Sequence, residues 1–297
     1  MNQEENRSNK SNLVSLEGVG LNPPLDARGI SYKKVLSIAG SDSGGGAGIQ
    51  ADLKAIAANG CYGMTAITAI TVQNTVGVTA VHPVPEEIVA GQIEAVLSDI
   101  GADAIKIGML HSSPLIRAII ESLQKFEVRN IVLDPVMVST SGHKLIQDEA
   151  IQTLQQELMP LARVITPNIP EAEILLGEKI NRQEDLKKVI RRLSYDGKVS
   201  VLLKAGHLTE DTLTDVFYNA ETDELLEFSS QRVYSKNTHG TGCTLSSAIA
   251  AQLAQGLSLN DAIRAGKDYI NAAIVNGTDY QTGKGHGPVH HFYQYWK

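Results

Sequence analysis

Cys61 and Cys243 are the only cysteines in this 297-residue chain. So few thiols exclude a disulfide framework and suit a reducing compartment, so a cytoplasmic protein is expected. Positive charge is also short: 26 Lys and Arg against 33 Asp and Glu leave a net charge of −7, with a pI near 5.6. No basic cluster offsets that balance, which argues against nucleic acid or an anionic membrane as the main partner, and any bound phosphate must be held by local groups. No run of about 18 apolar residues is present to span a bilayer. Residues 1–32 are polar, contain Pro23-Pro24, and have neither the apolar core of a secretory signal nor the acid-free character of a transit peptide, so a loosely ordered tail is expected there. No internal repeat of about 20–50 residues and no linker divides the remainder. With 42% hydrophobic residues there is material for a sizeable core, and residues 33–297 are expected to form a single domain.

From Lys33 onward, short β-rich runs alternate with helical patterns. That alternation is the signature of βαβ units and predicts an α/β fold: a mostly parallel sheet covered on both faces. Strands are expected at 35–39, 64–72, 104–107, 131–133, 164–166 and 199–204. Helices are expected at 49–58, 86–100, 114–125 (opened by Ser113), 182–195 and 244–255. The runs 214–218 and 225–228, flanking Asn219 to Asp223, read as an antiparallel hairpin at a sheet edge.

Two phosphate-binding loops that would identify a nucleotide enzyme at once are missing. Gly46-Ala-Gly-Ile-Gln-Ala51 imitates a dinucleotide fingerprint, but it starts well beyond the end of the first strand, and no acidic residue between Asp52 and Glu86 is available for a ribose. The nearest approach to a Walker A loop, Gly277 to Gly285, has Gly285 where Ser or Thr should hold magnesium. Present instead is Lys236-Asn-Thr-His-Gly-Thr-Gly-Cys-Thr-Leu245. Gly240 and Gly242 let successive N–H groups converge on an anion, and the helix that follows adds its free N–H groups and positive dipole end. The segment predicts phosphoryl transfer, with Gly240, Thr241 and Gly242 as the cradle. Cys243 stands in the first helical turn, where a thiol pKa falls below its reference of about 8.5, so it is a candidate base for an attacking hydroxyl. A small buried hydrophobe beside a tight turn is the plainer alternative.

Polar residues gather just after strands, where the mouth of such a sheet lies. Asp134 follows Ile-Val-Leu133, Asn168 and Glu171 follow Val-Ile-Thr166, and Lys204 ends Val-Leu-Leu203. Singly, each could be a turn former or strand-end cap. Together, Asp134, Asn168 and Glu171 form an oxygen set suited to Mg²⁺, and Lys204 supplies a point charge for phosphates.

Seven segments in order resemble one family: Gly40-Ser-Asp-Ser-Gly-Gly-Gly-Ala-Gly-Ile-Gln-Ala-Asp-Leu-Lys54, Val-Gln-Asn-Thr75, Lys-Ile-Gly-Met-Leu110, Leu-Asp-Pro-Val-Met137, Thr-Pro-Asn168, Asn-Thr-His-Gly-Thr-Gly-Cys-Thr-Leu245 and Gly-Lys-Gly-His-Gly-Pro-Val-His-His291. They are similar to the bacterial bifunctional hydroxymethylpyrimidine and phosphomethylpyrimidine kinases of thiamine synthesis, over about residues 34–297. The resemblance implies a ribokinase-like fold, ATP with Mg²⁺, two successive phosphorylations of 4-amino-5-hydroxymethyl-2-methylpyrimidine, and a homodimer. Most relatives of that fold carry Asp where Cys243 stands, so the Cys favours the pyrimidine kinases over sugar kinases. Carried over residue by residue, the resemblance puts Gln73 on the aminopyrimidine edge, Met109 and Gly40 along the ring, and Asp52 as a further pocket candidate. Asn168, Lys204, Lys236 and Thr238 are placed near the nucleotide. Ser141-Gly142 would belong to a cover over the phosphates, with His143 where an acidic or small residue is usual. Ser43 stands where Pro is frequent. His290 and His291 are expected to pack the C-terminus rather than bind metal. A pyridoxal kinase of the same fold and a non-catalytic pyrimidine sensor are the alternatives.

Overall fold

Alternate residues of the central strands are buried on opposite faces of one sheet. Val35, Ala104, Val132 and Val164 face one core, and Leu36, Ile105, Leu133 and Ile165 face the other. Each such Val, Leu or Ile side chain, fully buried, contributes about 1.5–3 kcal/mol relative to exposure. The computed structural model describes residues 31–138 and 145–297, and Tyr32–Lys297 belong to one compact unit. In chain order the elements are β1 (Lys34–Asp42), α1 (Gly48–Ala58), β2 (Tyr62–Gln73), β3 (Val78–Pro83), α2 (Glu86–Asp99), β4 (Ala104–Ile107), α3 (Ser113–Gln124), β5 (Ile131–Leu133), α4 (Asp148–Thr153), β6 (Val164–Ile165), α5 (Ile169–Leu176), α6 (Leu186–Leu193), β7 (Ser200–Leu203), β8 (Thr212–Asn219), β9 (Glu224–Gln231), α7 (Thr241–Ala254) and α8 (Leu259–Asn276).

The sheet runs β3-β2-β1-β4-β5-β6-β7-β8-β9. Its centre, from β2 through β7, is parallel. Strands β3 at one edge and β8 and β9 at the other are antiparallel. The fold is therefore the expected ribokinase-like α/β arrangement, with an antiparallel margin on both sides rather than one. After β3 the chain leaves the β1–β2 side and resumes at β4 on the other flank of β1. Such a switch point opens a crevice at the carboxyl ends of the strands.

Several boundaries differ from the sequence reading. Helix α3 is capped by Ser112, whose side chain accepts the Leu115 N–H, not by Ser113. The segment 182–195 is a 3₁₀ turn, Gln183–Asp185, followed by the shorter α6. Strand β3 and helices α4, α5 and α8 carry no expectation above. The expected tail over residues 1–32 and the cover at Ser141, Gly142 and His143 lie largely or wholly outside the described residues.

Helix α7 lies against the sheet and packs on α1 and α8. Its buried residues include Ser246, Ser247, Ala248, Ala250 and Ala251, and small side chains let its backbone come close to both neighbours. Gly266 of α8 makes the fit possible, because a Cβ there would lie 2.6 Å from Ile249 Cγ1. The close packing fixes the start of α7 relative to the strand ends.

Candidate active site

Gly240 caps α7 in a left-handed conformation, φ 77°. A Cβ at this position would collide with the Gly46 carbonyl, so the two glycine loops touch through bare backbone. Thr241 N–H bonds Thr238 O at 3.3 Å, and Thr244 N–H bonds Gly240 O at 2.9 Å. The first turn thus offers the N–H groups of Gly242 and Cys243. Thr241 Oγ1 donates to Thr238 O at 2.6 Å, stiffening the turn. A Cβ on Gly242 would sit 3.2 Å from Asp134 Oδ2 and 3.3 Å from Lys204 Nζ. Glycine there lets the cradle lie directly over an ion pair contributed by two strand ends.

That pair is close: Lys204 Nζ donates to Asp134 Oδ1 at 2.9 Å, and Thr166 Oγ1 donates to the same oxygen at 2.9 Å. Burial alone would raise the Asp134 pKa, but Lys204 and Lys106 bring it below the ordinary carboxylate range. Glu171 goes the other way. Its burial pushes the carboxyl up to about 7, Lys204 opposing and Asp134 adding to the rise. Asn168 and Glu171 do meet, as a capping box at the start of α5. Glu171 N–H donates to Asn168 Oδ1 at 2.9 Å and Asn168 N–H to Glu171 Oε2 at 2.8 Å. The sequence signal was there, an Asn followed three residues on by Glu.

All expected site residues except Asp52 line one cavity of about 1170 Å³: Gly40, Gln73 and Met109 on the first strands' side, Asp134, Asn168, Glu171 and Lys204 along the middle, and Lys236, Thr238, Gly240, Thr241, Gly242 and Cys243 at the α7 end. Gly40 keeps this wall of the cavity thin, since a Cβ there would stand 3.1 Å from Met109 Sδ.

Asp52 does not reach this cavity. It is fully buried between sheet and helices, where Lys106 Nζ donates to both carboxylate oxygens at 2.8 Å. Ser37 Oγ at 2.6 Å and Ser247 Oγ at 2.8 Å complete its shell. A charge taken out of water needs such partners, and Asp52 spends its acceptors on them. Lys106 itself is fully buried, and although burial opposes its charge, Asp52 raises its pKa.

The thiol of Cys243 is also corrected. Burial pushes it up to about 11, with Lys106 opposing and Asp52 and Asp134 adding to the rise. Loss of water around the sulfur outweighs the helix-terminus effect expected from sequence.

Three further residues shape the site: Lys106, Asp42 and His239. The glycine-rich loop after β1 folds around its own carboxylate. Asp42 Oδ1 accepts Gly44 N–H at 2.8 Å, and Oδ2 accepts Gly46 N–H at 3.0 Å and Ala47 N–H at 2.8 Å. His239 Nε2 lies 2.9 Å from the same Oδ2 and 3.2 Å from the Gln73 amide. Burial would raise the Asp42 pKa, but His239 and these N–H groups bring it below the usual range. Asp42 and His239 stood inside the quoted motifs; only their meeting across the chain was hidden.

Among the described residues no helix is long and apolar enough to cross a membrane. The chain is also similar to known proteins. The phosphomethylpyrimidine kinase family profile matches residues 42–290. A hydroxymethylpyrimidine/phosphomethylpyrimidine kinase of Rhizobium meliloti is 49% identical over 88% of this chain and 98% of its own length. The crystal structure of a phosphomethylpyrimidine kinase from Clostridium difficile superposes with a TM-score of 0.71 at 45% identity, over 81% of this chain and 99% of that one. An ADP complex of Bacillus subtilis pyridoxal kinase does so with a TM-score of 0.80 at 36% identity, over 88% and 98%. The chain is a kinase and belongs to the phosphomethylpyrimidine kinase family.

Proposed function

We propose that the protein phosphorylates 4-amino-5-hydroxymethyl-2-methylpyrimidine with ATP, first to the monophosphate and then to the diphosphate. The observation that carries this reading is the Gly240–Cys243 turn stacked over the Asp134–Lys204 pair, with Gln73, Gly40 and Met109 along the same cavity. The heterocycle would lie on Gly40 and Met109 with its polar edge at Gln73, whose amide can both donate and accept. Asn168, Lys236 and Thr238 face the nucleotide end.

Phosphoryl transfer passes through a loose transition state, so positioning and charge stabilisation do most of the work. The N–H groups of Gly242 and Cys243 and the Lys204 ammonium would take the charge of the transferring group. With its thiol pushed up to about 11, Cys243 is rarely ionised near neutrality. It therefore aligns the substrate hydroxyl within the cradle rather than serving as a strong base. In the second step the nucleophile is a phosphate oxygen with a second pKa of about 6, ionised without help. Charge repulsion is then the main obstacle, and Lys204 answers it.

The oxygen donors at the strand ends fit Mg²⁺. Asp134 Oδ2 faces the cradle, and Asn168 Oδ1 keeps one lone pair beyond its capping bond. Asp134, Asn168 and Glu171 would hold the ion with waters; bound there it neutralises phosphate charge. A homodimer, as the resemblance implies, and a cytoplasmic location, as the scarcity of cysteine suggests, belong to the same proposal.

The pyridoxal kinase superposition supports a second, lesser activity on pyridoxal, which also carries a hydroxymethyl group on a flat nitrogen ring. Mass spectrometry of products from the pyrimidine alcohol, ATP and Mg²⁺ tests the main reading. Both mono- and diphosphate are expected. Turnover of pyridoxal alone would overturn it.

A further inference from the structure

The Gln73 amide sits between two fixed neighbours. One end is 3.2 Å from His239 Nε2 and the other 3.1 Å from Thr71 Oγ1. The Asp42 carboxylate that His239 Nε2 also meets can only accept, so Nε2 carries a hydrogen. Thr71 has one hydroxyl hydrogen, and its shorter contact is to Ser41 O at 2.8 Å. With Gln73 Nε2 against His239, two N–H groups would face each other, and the single Thr71 hydrogen would have to serve two oxygens. A half-turn of the amide removes the facing N–H groups: its oxygen then shares the single Nε2 hydrogen with Asp42 Oδ2, which holds the shorter contact, and its NH₂ donates to Thr71 Oγ1. Each end then keeps one site for the cavity, an acceptor on the His239 side and a donor on the Thr71 side.

We infer that His239 is a specificity-determining positioning residue, which sets the polarity of the Gln73 amide and so the direction in which an aminopyrimidine lies in the cavity. The inference rests on the pyrimidine kinase reading and deepens it. Along the edge of that substrate the groups run in the order hydroxymethyl, exocyclic amine, ring nitrogen. The amine must meet the amide oxygen and the ring nitrogen the amide N–H. With the oxygen on the His239 side, the hydroxymethyl group points toward Gly240, the next residue in the chain, and so toward the cradle. The reversed amide would point it toward Thr71, away from the cradle. One hydrogen on an imidazole, held by a carboxylate of the first loop, therefore joins recognition of the ring to placement of the reacting hydroxyl.

The test compares kcat/KM for the first phosphorylation of the 4-amino substrate and of its 4-desamino analogue in wild type, His239→Phe and His239→Gln. Phe removes the donor; Gln returns an N–H near the same place. The preference for the amino substrate should fall about tenfold to a hundredfold in His239→Phe and be largely restored in His239→Gln, with the KM for ATP unchanged. Equal losses on both substrates, or no recovery with Gln, overturn the inference. Absence of wild-type turnover on the amino substrate overturns the underlying function as well. Should the variants fold poorly, ¹⁵N NMR of histidine-labelled wild type decides: Nε2 must be protonated, and a bare Nε2 rules the arrangement out.

Discussion

At the scale of single residues, the site depends on atoms that are absent as much as on those present. Gly240 is left-handed and its missing Cβ is where the Gly46 carbonyl passes. Gly240→Ala must therefore move one loop off the other. A loss of at least about 2 kcal/mol in stability by urea denaturation, together with near-complete loss of turnover, is expected. Cys243 makes a contrasting case. A base with a thiol pKa of about 11 would make the first phosphorylation climb about tenfold per pH unit above pH 8. A residue that only aligns the hydroxyl leaves kcat flat between pH 8 and 9.5, and Cys243→Ser should stay within about tenfold of wild type. A rising alkaline limb lost in the Ser variant would restore the base role.

Among elements, the decisive contact is the one between α1, β4 and α7. Asp52 from α1 and Lys106 from β4 form a buried pair, with Ser247 of α7 as a further donor. Removing one partner leaves the other charge uncompensated, so Asp52→Ala should cost about 3–5 kcal/mol of folding stability. A substrate ligand would instead raise KM with little change in the denaturation midpoint, and chemical denaturation beside kinetics distinguishes the two. The sequence placed Asp52 correctly on the helix after the first loop. It could not show that this face of α1 turns to the sheet, because the partner lies across a strand pairing rather than nearby in the chain. The Asn168–Glu171 box was legible for the opposite reason: its geometry is local, three residues along one helix turn.

Over the whole molecule, the C-terminal segment closes onto the core. His291 is buried, its Nε2 is 3.0 Å from Thr244 Oγ1, and Tyr269 donates its hydroxyl to the His291 carbonyl at 2.7 Å. Burial lowers its pKa to about 3, with Lys54 and His290 adding to the effect. The unfolded chain then binds a proton near pH 6.5 that the folded one refuses. The stability linked to this residue is present above pH 6.5 and is lost as pH falls toward 3, by up to about 1.4 kcal/mol per unit. Thermal denaturation should show wild type losing more stability than His291→Gln between pH 6.5 and 4, so that the two curves converge on acidification. Parallel curves would show that His291 does not carry this term.

The α/β class, the parallel centre of the sheet, the cradle at Gly240–Gly242 and the strand-end residues Asp134, Asn168 and Lys204 were determined by the amino-acid sequence itself. Their signals are short-range: hydrophobic periodicity, glycine in a turn, a polar group just past a strand. Tertiary structure alone decided the rest. Which face of α1 Asp52 occupies, how far burial raises the Cys243 thiol, and that Asp42 and His239 meet beside Gln73 all depend on desolvation and pairing between residues far apart in the chain. Such terms exist only once the sheet and its helices have excluded water between them.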